Sequence, residues 1–394
     1  MRATVVERSE MLTRTAPRLL LVGVLACTLA AVPVTADPPA AARAGSGITV
    51  RDLGTLPGDS WSVAVDVNEH GQVIGFSQAG NGDTRGFLWD RGVMRDLGTF
   101  SAVAINDSGQ VVGTALNGSG AQQAAMWDGG RLRYLTTPDG APSRAVLLNE
   151  HGQVVVQTRE YGGDEPDRLR NYVWDDGAVT EIPPLPGSPY MHPLDINDQG
   201  WVTGYSPGPG SLRHGFLWRD GVVTDLGSAA SGDVASTMGL AVNEAGQVAG
   251  QASASDTEHA AAVWQDGEWM RLGHREGWSG ATDINEHGTV VGWASDGGPH
   301  EHAVLYRDGE WTDLAPAGSR AIELNDRDQV IGSVDGYTLT AVLWQDGETH
   351  LLPPLYPGSA TTAYDISERG QVAGSARVLS GVEHAVLWTT ARGS

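Results

Sequence analysis

Five carboxylates stand two residues before a recurring Asn slot: Asp66, Asp195, Asp283, Glu323 and Asp365. The stretch Asp-x-Asn-x-x-Gly, as from Asp66 to Gly71, has the outline of the start of a calcium loop. The later acidic ligand fails, because six residues past the slot the Asp-bearing copies place Ile74, Thr203, Val291 and Ala373. A carboxylate bonded to a neighbouring backbone amide is the simpler reading. No cofactor is therefore expected. Calcium is the one ion the spacing brings up, and its ligand count argues against it.

Histidine and aromatic residues are the next candidates. His214, His302 and His384 occupy equivalent places in different copies of a repeat, which separates them in space and speaks for strand-start hydrogen bonding over a shared zinc. His300 and His302 form a His-x-His pair that could make a two-ligand surface site. Seven of the 13 Trp fill one repeated slot and read as packing. Trp61, Tyr190, Trp278 and Tyr356 fall between repeats, where aromatic rings can stack on a sugar or a peptide. These four are the candidate ligand-binding residues; packing down their own loops is the competing role. No Gly-x-Ser-x-Gly, His-Glu-x-x-His or phosphate loop occurs, so no catalytic residue is named. Acids brought together from distant positions, as in glycosidases, would leave no such motif.

The elements that carry these residues are eight copies of one unit. The Asn slot holds Asn68, Asn106, Asn149, Asn197, Asn243, Asn285, Asn325 and, last, Ser367. A period near 40 residues is that of a propeller blade or solenoid unit. Four residues before the slot every copy is small or Pro, and one before it every copy is aliphatic. Such alternation is strand periodicity, and the small face implies close backbone approach. A tight Asn-x-x-Gly turn follows, with Asp328 in place of Gly in the seventh copy, then a strand opening at Val73 and its seven equivalents. A third strand ends in Trp, or Tyr306, and an Asp-Gly type turn leads to a fourth. Each unit is therefore four strands, a to d.

The eighth unit stops six residues after Trp388 and lacks strand d. Arg51-Asp52-Leu53-Gly54-Thr55 repeats Arg95-Asp96-Leu97-Gly98-Thr99 letter for letter. An orphan d strand at one end and a missing one at the other predict a closed ring, which also hides strand edges. The expected fold is an all-β propeller of eight four-stranded blades over 48–394, with seven blades as the alternative. Val156 replaces a usual Gly and marks the third unit as the least regular.

The segments His214-Gly215-Phe216-Leu217-Trp218, His302-Ala303-Val304-Leu305-Tyr306 and His384-Ala385-Val386-Leu387-Trp388 resemble the His-Ala-Phe signature of the bacterial extracellular HAF-repeat family. The Asp-Leu-Gly-Thr and Asn-x-x-Gly-Gln-Val segments are similar to that pattern too, over nearly the whole chain beyond the leader. Other units depart from it, with Arg85, Gln123, Arg170, Ala260 and Thr340 at the His slot. The resemblance implies secretion and a propeller-like fold. It supplies no reaction and no catalytic residue.

Composition bounds the partners. The 394 residues carry 25 Arg, no Lys and 48 acids, a net charge of -23. So acidic a chain repels nucleic acid and anionic lipid. Residues 1–36 read as a signal peptide: four Arg, an apolar run from Leu19 to Ala31, and small residues before Asp37. The run is too short for a membrane span. Residues 37–47 read as a flexible leader. Cys27, the only cysteine, lies within the signal segment, and lipid anchoring there is the alternative to free secretion. The d–a and b–c loops vary between copies, whereas the a–b and c–d turns do not, and strand alternation puts both variable sets on one face. Binding residues usually sit on varied loops over a rigid frame. The expected function is a secreted, monomeric, non-catalytic binding module for an extracellular glycan or protein. A secreted carbohydrate-active hydrolase or lyase with acids lining the channel is the alternative.

Overall fold

The computed structural model describes residues 47–160, 168–208, 212–227, 236–255, 258–273, 277–295, 297, 300–336 and 339–390. The signal segment, Cys27 and all but the last residue of the leader lie outside the described residues. Within them the chain forms eight four-stranded antiparallel sheets arranged as the blades of a ring. Blade 1 is typical: strand a Asp59–Val67, b Val73–Ala79, c Thr84–Asp90 and d Val93–Asp96, paired in that order. Blade 8 takes strands a to c from Thr361–Ile366, Gln371–Arg377 and Glu383–Thr389, and its strand d is Thr49–Gly54 from the start of the fold. Val50 stands opposite Trp388, and Thr49 opposite Thr389. The eight-blade ring closed by the N-terminal strand is as the sequence predicts.

The small residues four before the Asn slot explain the tight inner wall. Ala64, Ala281 and Ala321 are fully buried there. Every strand a then shifts register between that residue and the one two positions on, as between Ala64 and Asp66. Such a bulge bends the strand and re-aims a side chain. The extra residues, among them Val65, Val103, Val146, Ile322 and Tyr364, line the central channel.

The Trp that ends strand c packs across the blade boundary. Trp174 of blade 3 joins Met126 and Leu135 of blade 2, and Trp388 of blade 8 joins Leu343 and Leu352 of blade 7. Burying such a ring is worth about 2–3 kcal/mol relative to exposing it. The strand-d rings are structural as well, since Trp269 Nε1 donates to Leu226 O of the preceding blade at 2.5 Å.

One placement differs from the sequence reading. Trp61 is not in a d–a loop; it lies inside strand a of blade 1, opposite Gln78. That strand runs nine residues, because apolar alternation continues back through Trp61 and lets it pair with strand b as far as Ala79.

Candidate functional site

The ring has two ends of different chemistry. At the a–b end, each Asn closes its own turn and reaches the next blade. In blade 1 the Asn68 Oδ1 accepts from Gln72 N at 3.0 Å, while Nδ2 donates to Gln72 Oε1 at 2.8 Å and to Asn106 O at 3.0 Å. The inter-blade link recurs through Asn106, Asn149, Asn197, Asn243, Asn285 and Asn325, whose Nδ2 reaches Ser367 O at 3.0 Å. Ser367 has no amide to pass the chain on; its hydroxyl accepts from Gln371 N at 3.3 Å.

A second ring surrounds the first. The residue after the Asn slot is acidic in all eight copies: Glu69, Asp107, Glu150, Asp198, Glu244, Glu286, Asp326 and Glu368. Each carboxylate accepts the backbone N–H of its counterpart in the preceding blade, as Asp107 Oδ1 does from Glu69 N at 2.8 Å and Asp198 Oδ1 from Glu150 N at 2.9 Å. The circle closes where Glu69 accepts from Glu368 N. Sequence reading passed over this row, although an acid repeated at one offset in eight copies is a visible signal. Burial raises the carboxyls of Glu150, Glu286 and Glu368 above the ordinary value, and neighbouring acids such as Asp107, Glu244 and Asp326 add to it.

The carboxylates two before the slot do what the simpler reading expected. Asp66 Oδ2 accepts from Ile105 N at 2.9 Å, Asp195 Oδ2 from Val242 N at 2.9 Å, Asp283 Oδ2 from Leu324 N at 3.0 Å and Asp365 Oδ2 from Val67 N at 2.8 Å. They tie blades together. The central cavity, about 310 Å³, is lined by Asp66, Asp195, Glu323 and Asp365 together with apolar residues such as Val65, Val103 and Val146. The strand-c histidines are likewise engaged within their blades: His214 lies 3.3 Å from Asp225, His302 3.4 Å from Asp313, and His384 3.1 Å from Asp52.

The variable-loop end is where the copies differ. Five residues before the Asn slot, at the start of strand a, stand Val63, Ser101, Arg144, His192, Met238, Gly280, Arg320 and Thr362. Each pairs in register with a strand-b residue: Phe76, Thr114, Gln157, Tyr205, Gln251, Trp293, Ser333 and Ser375. These two rows obey no repeat. Their register places the side chains together at one end of the ring, a fact hidden in sequence because the partners lie 13 residues apart.

The four expected aromatics are not brought together. Trp61 belongs to blade 1, while Tyr190, Trp278 and Tyr356 enter blades 4, 6 and 8 from their d–a loops. Trp278 is 52% exposed and meets His259 edge-on at 5.8 Å. Tyr356 is half-buried in its loop. Tyr190 meets His192 edge-on at 5.2 Å, and His192 lies 5.0 Å from Tyr205. Of the four, only Tyr190 joins a cluster of non-repeated residues. Burial pulls the His192 imidazole below its ordinary value, and the nearby charges of Arg144 and Arg213 add to this.

The loop that enters blade 3 is fixed by Asp139. Its carboxylate accepts from Thr137, from Thr158 at 2.9 Å and from the Tyr172 hydroxyl at 3.1 Å. Burial, with Asp139 beside it, pushes the Tyr172 hydroxyl up to about 12.

No family model and no curated protein matches the sequence. Solved structures match in shape. An acylaminoacyl peptidase of Pyrococcus horikoshii aligns with TM-score 0.51 at 13% identity, over 83% of this chain and 59% of that one. The chain thus spans about three fifths of that peptidase's length. The β-propeller domain of the trilobed protease from Pyrococcus furiosus gives 0.48 at 13% identity, over 75% of this chain and 98% of that domain. A lectin of Burkholderia pseudomallei, BP39L, gives 0.38 at 13% identity, over 73% and 94%. Identity this low speaks for fold alone. The chain is similar to these proteins as a β-propeller module.

Proposed function

We propose that the protein is an exported, non-catalytic binding module whose variable-loop face holds a glycan or a protein. One observation carries this reading: the repeated Asn and acid rows of the a–b end bond blade to blade, whereas the non-repeated residues collect at the d–a end. A folding role explains every row that repeats. A ligand explains rows that do not. Export through residues 1–36, and kinship with the HAF-repeat proteins that the chain resembles, belong to the same proposal.

The rival, a hydrolase with acids in the channel, has less support. A general acid and a nucleophile need carboxylates whose oxygens face the substrate. Asp66, Asp195, Asp283 and Asp365 each spend an oxygen on a backbone amide of the next blade.

The test is a screen of neutral and acidic glycans and of extracellular proteins against the folded chain. Hits are then measured with Trp278→Ala and Tyr190→Ala on the loop face, and with His287→Ala on the a–b turns. Binding lost with either loop-face change and kept with the turn change supports the reading. Binding lost only with His287→Ala places the ligand at the wrong end and refutes it.

A further inference from the structure

Arginine is the only basic side chain here, apart from histidine, and several arginines are paired with an acid of their own or a neighbouring blade. At the loop end Arg85 pairs with Asp59 and Asp96, and Arg320 pairs with Glu301. Arg213 does otherwise. Its guanidinium lies over the Tyr205 ring, 5.2 Å from the centroid, and Nη1 donates to Met238 Sδ at 2.9 Å. Neither partner is charged, and Arg213 forms no ion pair among the described residues. A cation held by a ring and a thioether, in a chain with 48 acids, is oriented without being neutralised.

The surroundings are built from three blades. Tyr205 carries His192 on its ring, and His192 carries Tyr190. From blade 3, Arg144 donates through Nη2 to Gln157 Oε1 at 2.7 Å. Gln157 Nε2 donates to Asn171 Oδ1 at 2.9 Å, and Asn171 Nδ2 to Met191 O at 3.1 Å, next to His192. Gln157 and Asn171 are buried, and the Asn171 position is Gly or Ala in all seven other blades. The relay is unique to this blade, and it ties Arg144 to the backbone that presents His192.

We propose that this patch is a subsite for one carboxylate-bearing sugar of an acidic polysaccharide, with Arg213 facing the carboxylate, Arg144 held beside it on Gln157, and Tyr190 and His192 meeting the ring. A planar guanidinium matches a carboxylate in two hydrogen bonds, and an aromatic face suits the C–H side of a pyranose. The net negative charge of the chain makes the site selective: an acidic polymer is repelled everywhere except where cations are gathered. This inference rests on the binding-face reading above and narrows its ligand.

The test uses calorimetry on the full folded chain with four probes: an oligogalacturonate, its methyl ester, a sulfated neutral oligosaccharide and polyglutamate. The uronate is expected to bind, weakening as salt is added, with the ester at least about tenfold weaker. Arg213→Gln should cost about tenfold or more, and Arg213→Lys less. Arg133→Gln removes the same charge from a remote strand d and should change little. Thermal melts of each variant confirm folding. Equal binding of acid and ester, or equal losses for Arg213→Gln and Arg133→Gln, would overturn the anion subsite while leaving a loop-face ligand standing. Preference for the sulfated probe or for polyglutamate overturns the uronate assignment. Binding of none of the four refutes this inference alone, since the wider screen of neutral glycans and proteins judges the parent reading separately.

Discussion

Asn285 Nδ2 donates to Asp328 Oδ1 at 3.0 Å, across the boundary between blades 6 and 7. Elsewhere that amide commonly meets a Gln of its own turn, as Asn243 meets Gln247 Oε1 at 2.8 Å. Blade 6 has Thr289 instead of that Gln, and blade 7 has Asp328 instead of the turn Gly. The two departures compensate. A Cβ added at Gly288 would lie 3.2 Å from Gln247, and one at Gly370 2.7 Å from Gln329. The Gln and the Gly of successive blades thus share one space; shrinking one lets the other grow.

A double-mutant cycle tests this exchange. Thr289→Gln alone should destabilise, because the new side chain meets Asp328. Adding Asp328→Gly should recover most of the loss, with a coupling of about 1–3 kcal/mol in urea unfolding. Additive effects would show that the two sites do not share the space.

The Asn ring predicts opposite outcomes at two of its members. Asn197 Oδ1 accepts from Trp201 N at 2.9 Å and its Nδ2 donates to Asn243 O at 3.0 Å. Asn197→Ala strands both buried groups and should cost about 2–4 kcal/mol. Ser367→Asn supplies the missing donor toward Asn68 and should add about 1 kcal/mol. A neutral result for Asn197→Ala would mean that the ring bonds hold nothing.

The closing strand offers a covalent test. Thr49 Oγ1 and Thr389 Oγ1 lie 2.8 Å apart across the first pair of blade 8. Cysteines at both positions should join on oxidation and shut the ring permanently. Linking residues 340 apart in sequence should stabilise by up to about 6 kcal/mol in the chain-entropy account. The comparison is the melting temperature with and without reductant. No rise on oxidation, despite a formed bond, would show that this closure is not where unfolding begins.

The acidic ring gives a signed pH dependence. The folded chain holds protons on Glu150, Glu286 and Glu368 more tightly than the ordinary 4.5. Acidification from neutral pH into the window just above 4.5 should therefore strengthen their contribution. Asp59 and Asp139 act the other way. Burial would raise both, but the Arg85 and Ser77 bonds on Asp59, and the Thr137 and Thr158 bonds on Asp139, hold them below 3.8. Their support is present above 3.8 and is lost as pH falls through the lowered values. His192, held below 6.5, opposes the Glu gain: as pH falls through 6.5 the unfolded chain takes the proton more readily, and its contribution to stability falls. Glu150→Gln should raise the melting temperature at pH 7 and shrink the gain between pH 7 and 5. An unchanged pH profile in that variant would remove Glu150 from the account.

The fold was legible because propeller geometry repeats, and equal tasks select equal residues. The offset from Trp89 to Leu97, kept in the seven units long enough to carry it, marked four strands; the copied Arg51–Thr55 segment located the seam. Trp61 misled because a lengthened strand and a loop read alike at a blade's first residues. The site was less legible for a topological reason. His192 and Tyr205 belong to neighbouring strands, Arg213 to a third, and Arg144 to another blade. Only the strand register and the order of blades bring them side by side. The acid row at Glu69 and its equivalents was legible, yet a residue type that fills every copy reads as surface charge until its amide partners are seen.

The antiparallel closure of blade 8 also decides how the molecule meets tension. Thr49 and Thr389 are paired, so both ends of the fold leave from one edge of the same strand pair. A pull on the two ends would peel Thr49–Gly54 from Glu383–Thr389 one hydrogen bond at a time instead of loading the whole strand at once. Beyond it lies the boundary of Ser367 and Asn68, the one junction without an Asn side-chain link, held there by Asp365 and Glu69 instead. Along that line the ring yields to a small force, although in still solution the same seam is a complete blade.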